Sequence, residues 1–172
     1  NQRLQAIANI DTWIDGKTAN KSFFPGTDIN VFRAAAQLAM RVFWPDTLNQ
    51  GHCGFCGPTT VLFDFAKRYP VKFAKCCMDL VDTGSGRIQL NNGQLGFDVS
   101  LGKNEAGDWK TKHMPEADFI MLRAVRHKAK ALIPGSQSGG MDFAFDKDPT
   151  HATTPTQIKL LRVLEEKVVE RV

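Results

Sequence analysis

The segment Gln50-Gly51-His52-Cys53-Gly54-Phe55-Cys56-Gly57-Pro58 runs straight into the apolar stretch Thr59-Thr60-Val61-Leu62-Phe63-Asp64-Phe65. Glycines at 51, 54 and 57 keep the backbone uncrowded, and Pro58 suits a first helical turn, where its missing N–H is not required. A cysteine is therefore expected where a loop becomes a helix. Helix N-termini present unpaired N–H groups and partial positive charge, surroundings that can bring a thiol pKa from about 8.5 down to roughly 3.5–7.5. The thiolate is the attacking species, so this position predicts a nucleophile at Cys56.

The chain has 172 residues, enough to bury a real core, and is expected to form one domain over 1–172. It holds no apolar run near the length of a membrane span, which predicts a soluble protein without membrane partners. The net charge of +4 arises from 22 basic and 18 acidic residues. The basic residues are scattered among acids, and the richest stretch, Arg123 to Lys130, is interleaved with apolar residues that suit a solvated helix face; nucleic acid is not an expected partner. The chain begins at Asn1, which suggests excision from something longer. Four cysteines do not make a disulfide framework, and Cys76-Cys77 in a helical pattern read as small buried hydrophobes.

Periodicity predicts a helix carrying Leu4, Ile7, Ile10 and Ile14 and stopping at Asp15-Gly16. A second, capped by Thr27 or Asp28, places Val31, Ala35, Leu38 and Val42 on one face and ends at Pro45. The third, Pro58 to Ala66, is apolar on several faces and reads as a buried central helix broken by Tyr69-Pro70. A fourth, Val71 to Asp82, turns Phe73, Cys77, Leu80 and Val81 inward before Thr83-Gly84-Ser85-Gly86. Residues 87–90 and 95–101 alternate around Asn91-Asn92-Gly93, a hairpin signal. A fifth helix starts at Met114-Pro115-Glu116, carries Phe119, Leu122, Ala124, Val125 and Ala129, and closes at Pro134-Gly135. Gly135 to Gly140 reads as a mobile loop. A last helix is capped by Thr154-Pro155, with Ile158, Leu161, Val163 or Leu164, Val168 and Val172 on a stripe still running at the last residue.

A thiol nucleophile that forms acyl intermediates needs an oxyanion donor and a base. Gln50, six positions before Cys56, is spaced to fold its amide back beside the Cys56 N–H; losing one such donor typically costs about a hundred- to thousandfold in rate. Gln50-Gly51-x-Cys53-Gly54-x-Cys56 resembles the papain-like cysteine peptidase motif, and Cys56-Gly57-Pro58-Thr59 is more similar to its bacteriocin-leader peptidase branch, which cuts at Gly-Gly sequences. Lys67-Arg68-Tyr69-Pro70, Asp79-Leu80, Thr83-Gly84 and 117–123 also look like the N-terminal half of bacterial papain-like toxin domains found in interbacterial effectors. The resemblance covers residues 50 to 165 loosely, and only the loop around Cys56 is specific.

The resemblance implies an α+β papain-like fold, with the nucleophile at the start of a central helix in a helical half and a small β element beside it. It further implies a cysteine protease using Cys56 and Gln50 without cofactor or metal. Such a protease would be a secreted bacterial effector toxin acting on protein substrates in the cytoplasm of a target cell, with a cognate immunity protein as partner. The family's base stands at the start of an apolar strand, followed by Asp or Asn. None of His52, His113, His127 and His151 has that context, although His113 has the best spacing. The histidine-bearing strands are therefore expected beyond Val172, leaving an incomplete domain here.

Other chemistries fit parts of the same loop. Cys53-Gly54-Phe55-Cys56 has the spacing of a thiol-disulfide oxidoreductase pair, with Cys53 attacking and Cys56 resolving. A thioredoxin-like fold, however, needs a strand immediately before the pair. Cys53, Cys56, Cys76 and Cys77 make a poor zinc set, because adjacent cysteines are awkward tetrahedral partners. A peptidoglycan amidase of the NlpC type, or a binding module without catalysis, completes the alternatives. Asp64, Asp79, Asp82 and Asp118 could orient a base, but their spacings suit solvated faces and caps as well.

Overall fold

In a computed structural model the structure describes residues 1–51, 55–90, 95–107 and 113–131. Among these the fold is α+β: helices α1 (Gln2–Asp15), α2 (Val31–Phe43), α3 (Cys56–Arg68), α4 (Pro70–Thr83) and α5 (Glu116–Ala131), with strands β1 (Ser85–Leu90) and β2 (Leu95–Ser100) between α4 and α5. The strands pair antiparallel from Ser85↔Ser100 to Leu90↔Leu95, as the alternation predicts; Asn91-Asn92-Gly93 lies outside the described residues. So do the Gly135–Gly140 stretch and the last predicted helix. None of the described helices is long and apolar enough to cross a membrane.

α4 is the hub, packing against α1, α2, α3, α5 and β1. Its predicted inward residues Phe73, Cys77, Leu80 and Val81 are all buried, joined by Ala74 and Cys76. Phe73 meets Phe65 of α3 edge-on, with ring centroids 5.9 Å apart. Pro70 opens α4 at its first position, one residue before the expected start, where a missing N–H costs nothing. Gly84 closes α4 in the left-handed conformation, φ 71°. A Cβ there would collide with the Phe23 ring and stand 2.8 Å from the Leu101 carbonyl oxygen, so both conformation and space demand glycine.

Three expectations need correcting. On α1, Leu4 is 59% exposed, while Ala6 and Ile10 are buried and Trp13 lies half-buried with its indole N–H donating to Asp82 (2.8 Å). The stripe facing α4 and α2 is thus rotated from the one that Leu4 defines. α2 is capped by Asn30, whose side chain accepts from Arg33 N–H, rather than by Thr27 or Asp28. Phe24 and Ile29 are drawn into the core, and Asn20 Oδ1 accepts from Val31 N–H, which moves the helix start to Val31. α3 is not apolar all round: Val61, Leu62, Phe65 and Ala66 face α4 and α5, while Thr60, Lys67 and Arg68 are exposed. Arg68 pairs with Asp64 along that outer face.

Candidate active site around Cys56

α3 begins at Cys56 itself, two residues before the expected Pro58. Its first turn closes when Thr59 N–H donates to the Phe55 carbonyl (2.8 Å). Phe55, the N-cap, supplies no side-chain acceptor, and Pro58 in the first turn has no N–H. The first-turn donors at this end therefore belong to Cys56 and Gly57. The sequence expectation of a cysteine at a loop-to-helix junction is what the backbone shows.

Phe55 is buried, with the Arg126 guanidinium of α5 5.1 Å from its ring centroid. The residue before the cysteine is thus clamped between the core and a cation. Upstream, Gln50 is half-buried, and its side-chain oxygen accepts from the Thr59 hydroxyl at 3.4 Å. The Gln50 side chain thus reaches Thr59 on the first turn of α3. Gly51 adopts φ 59°, a left-handed turn in which glycine is at ease, and its N–H donates to Asn49 Oδ1 (2.7 Å).

Behind this loop lies a polar seam that the spacing of single carboxylates did not reveal. Asp118, expected on a solvated face or cap, is buried at 1% exposure. Arg41 of α2, also buried, donates from Nε to Oδ1 (2.9 Å) and from Nη2 to Oδ2 (2.6 Å). Burial pushes the Asp118 carboxyl up from its ordinary value, while Arg41 and the Asn49 N–H pull it back. That N–H donates to Asp118 Oδ2 at 3.1 Å. Arg41 Nη1 also donates to Thr47 Oγ1 (2.9 Å), and the Thr47 hydroxyl donates to the Trp44 carbonyl (2.6 Å). Two residues earlier on α5, buried Glu116 accepts from Arg33 Nε (2.7 Å) and Gln37 Nε2 (2.6 Å), and Gln37 Oε1 accepts from Ala117 N–H (3.0 Å). Arg33, Gln37 and Arg41 stand four apart on α2, so one polar stripe grips the N-terminus of α5. That spacing is the sequence signal that would have found it.

The histidines separate. His127 on α5 has Nδ1 3.1 Å from the Ser100 carbonyl and 3.5 Å from Glu105, at the end of β2. His113 is exposed in the turn before α5 with φ 51°. His52, Cys53 and His151 lie outside the described residues. Cys76 and Cys77 are free and buried, as their helical context predicts. Burial, with Asp79 close by, pushes the Cys76 thiol up to about 12; burial, with Cys76 and Asp118 nearby, lifts that of Cys77 well above its ordinary value. Both are protonated, inert thiols near neutral pH. Among the described residues no cluster of three or more His, Cys, Asp or Glu is arranged to hold a metal ion. No protein-family model matches the chain, and neither the curated proteins nor the solved structures yield a significant match.

Proposed function

We propose that this chain belongs to a papain-like cysteine peptidase in which Cys56 attacks the substrate carbonyl and Gln50 helps to hold the oxyanion. The observation that carries the proposal is the Gln50 side chain bound to Thr59 on the first turn of the helix that Cys56 opens. A thiolate at Cys56 gains from the partial positive charge of the α3 N-terminus. Its attack on a peptide carbonyl gives a tetrahedral oxyanion, for which the Cys56 N–H and the Gln50 amide are the donors. Collapse expels the amine and leaves a thioester, which water hydrolyses to free the acid and regenerate the thiol. The resemblance extends the proposal to a secreted bacterial effector that cleaves proteins, at Gly-Gly-like sites, inside a target cell and is neutralised by an immunity protein.

The thiol-disulfide alternative draws less support. Among the described residues before the pair there is no strand, only α1, α2 and a single 3-10 turn over Pro45–Thr47. Casein hydrolysis by the protein, compared between Cys56→Ala and Cys53→Ala, separates the two chemistries. Loss confined to Cys56→Ala, with Gln50→Ala lowering the rate about a hundred- to thousandfold, is the expected result. Disulfide reductase activity that vanishes with Cys53→Ala would instead establish a redox pair.

A further inference from the structure

An oxyanion donor is useful only if it is held in place, and the backbone on both sides of Gln50 is tied. Asn49 N–H, immediately before it, donates to Asp118 Oδ2, and Gly51 N–H, immediately after it, donates to Asn49 Oδ1. Asp118 is in turn locked by the fork of Arg41, whose remaining arm holds Thr47 and hence the turn at Trp44. We propose that Arg41 and Asp118 are positioning residues: their buried ion pair sets the pose of Gln50 against the Cys56 N–H. This rests on the roles proposed for Cys56 and Gln50.

The energetics favour a geometric role. Desolvating two charges offsets most of their attraction, so a buried pair adds little net stability compared with apolar residues of the same volume. What the pair supplies that apolar residues lack is direction. Arg41 Nη1 and Asp118 Oδ2 still have bonding capacity after pairing with each other, and both use it on the loop between α2 and α3. A displacement of about 1 Å in a catalytic group can cost about a hundredfold in rate, so a modest slackening of this anchor is readable in kinetics.

The test compares two reactions of the same thiol. Acylation of Cys56 by p-nitrophenyl acetate passes through an oxyanion, whereas alkylation by iodoacetamide does not. Asp118→Asn weakens the Arg41 fork, and Asn49→Ala removes the tie to Gly51 from an exposed side chain, leaving the core untouched. Each is expected to slow acylation about ten- to hundredfold while leaving the rate of alkylation and its pH midpoint unchanged. In a Gln50→Ala background neither should have further effect, because both act through Gln50. Equal losses with and without Gln50, or a parallel loss of alkylation, would overturn the positioning role while leaving the nucleophile standing. Arg41→Lys, which keeps the charge but loses the arm that holds Thr47, decides the matter if Asp118→Asn does not fold. Failure of the unaltered protein to acylate at Cys56 would instead remove the nucleophile, and the positioning role with it.

Discussion

The seam between α2 and α5 and the seam that α4 makes with α3 and β1 are both buried, yet they hold by different physics. Phe73, Cys76, Leu80 and Val81 of α4, with Phe65 of α3 and Ile88 of β1, form an apolar surface whose strength is the sum of area and fit. Between α2 and α5 lie Arg33, Gln37 and Arg41 facing Glu116, the Ala117 N–H and Asp118. The apolar seam tolerates any partner of the right volume. The polar seam accepts one register, and it passes that register to residues 47–51. Stability and placement are thus divided between two parts of one small fold.

Removing one member from each seam should produce the largest effects. Asp118→Ala leaves the Arg41 guanidinium buried without its acceptor and is expected to cost about 3–5 kcal/mol in urea unfolding. Phe73→Ala opens a cavity against Phe65 and should cost a similar amount, about 3–5 kcal/mol. The seams then part company. Exchanging both partners of the ion pair, as Arg41→Met with Asp118→Leu, should recover most of the lost stability while acylation at Cys56 stays slow. Recovery of acylation along with stability would erase the distinction between the seams.

A smaller, pH-dependent effect comes from Cys76. Its thiol is raised to about 12 in the folded chain against about 9 unfolded, so the unfolded chain loses this proton first as pH rises. The group therefore contributes stability below pH about 9 that is lost progressively towards pH about 12. Urea midpoints at pH 8 and 10.5 should fall less in Cys76→Ala than in the unaltered protein. An identical fall in both would remove Cys76 from the account. The smallest effect is expected at the surface, where Lys75 pairs with Asp79 one turn along α4; Lys75→Ala should change stability by less than about 0.5 kcal/mol.

Local pattern made much of this fold legible. Gly84 marked the end of α4, and the paired arms around Asn91-Asn92-Gly93 gave the hairpin. The junction at Cys56 followed from glycine and proline within a few residues. Asp118 was misread because its partner is 77 positions away, and nothing local distinguishes a capping aspartate from one buried by another helix. Leu4 was misread because α1 chooses its buried face by where α2 and α4 lie, which no single helix encodes. Short-range signals thus found the loop-to-helix junction at Cys56, while the long-range ion pair behind it became visible only once the helices were packed.

The central claim is that Cys56 performs acyl transfer. Peptide mapping after reaction with p-nitrophenyl acetate tests it most directly. A hydroxylamine-labile acetyl group on Cys56, lost in Cys56→Ala, retained in Cys53→Ala and formed far more slowly in Gln50→Ala, is the predicted result. An acetyl group that follows Cys53, or that survives unchanged in Gln50→Ala, would contradict it.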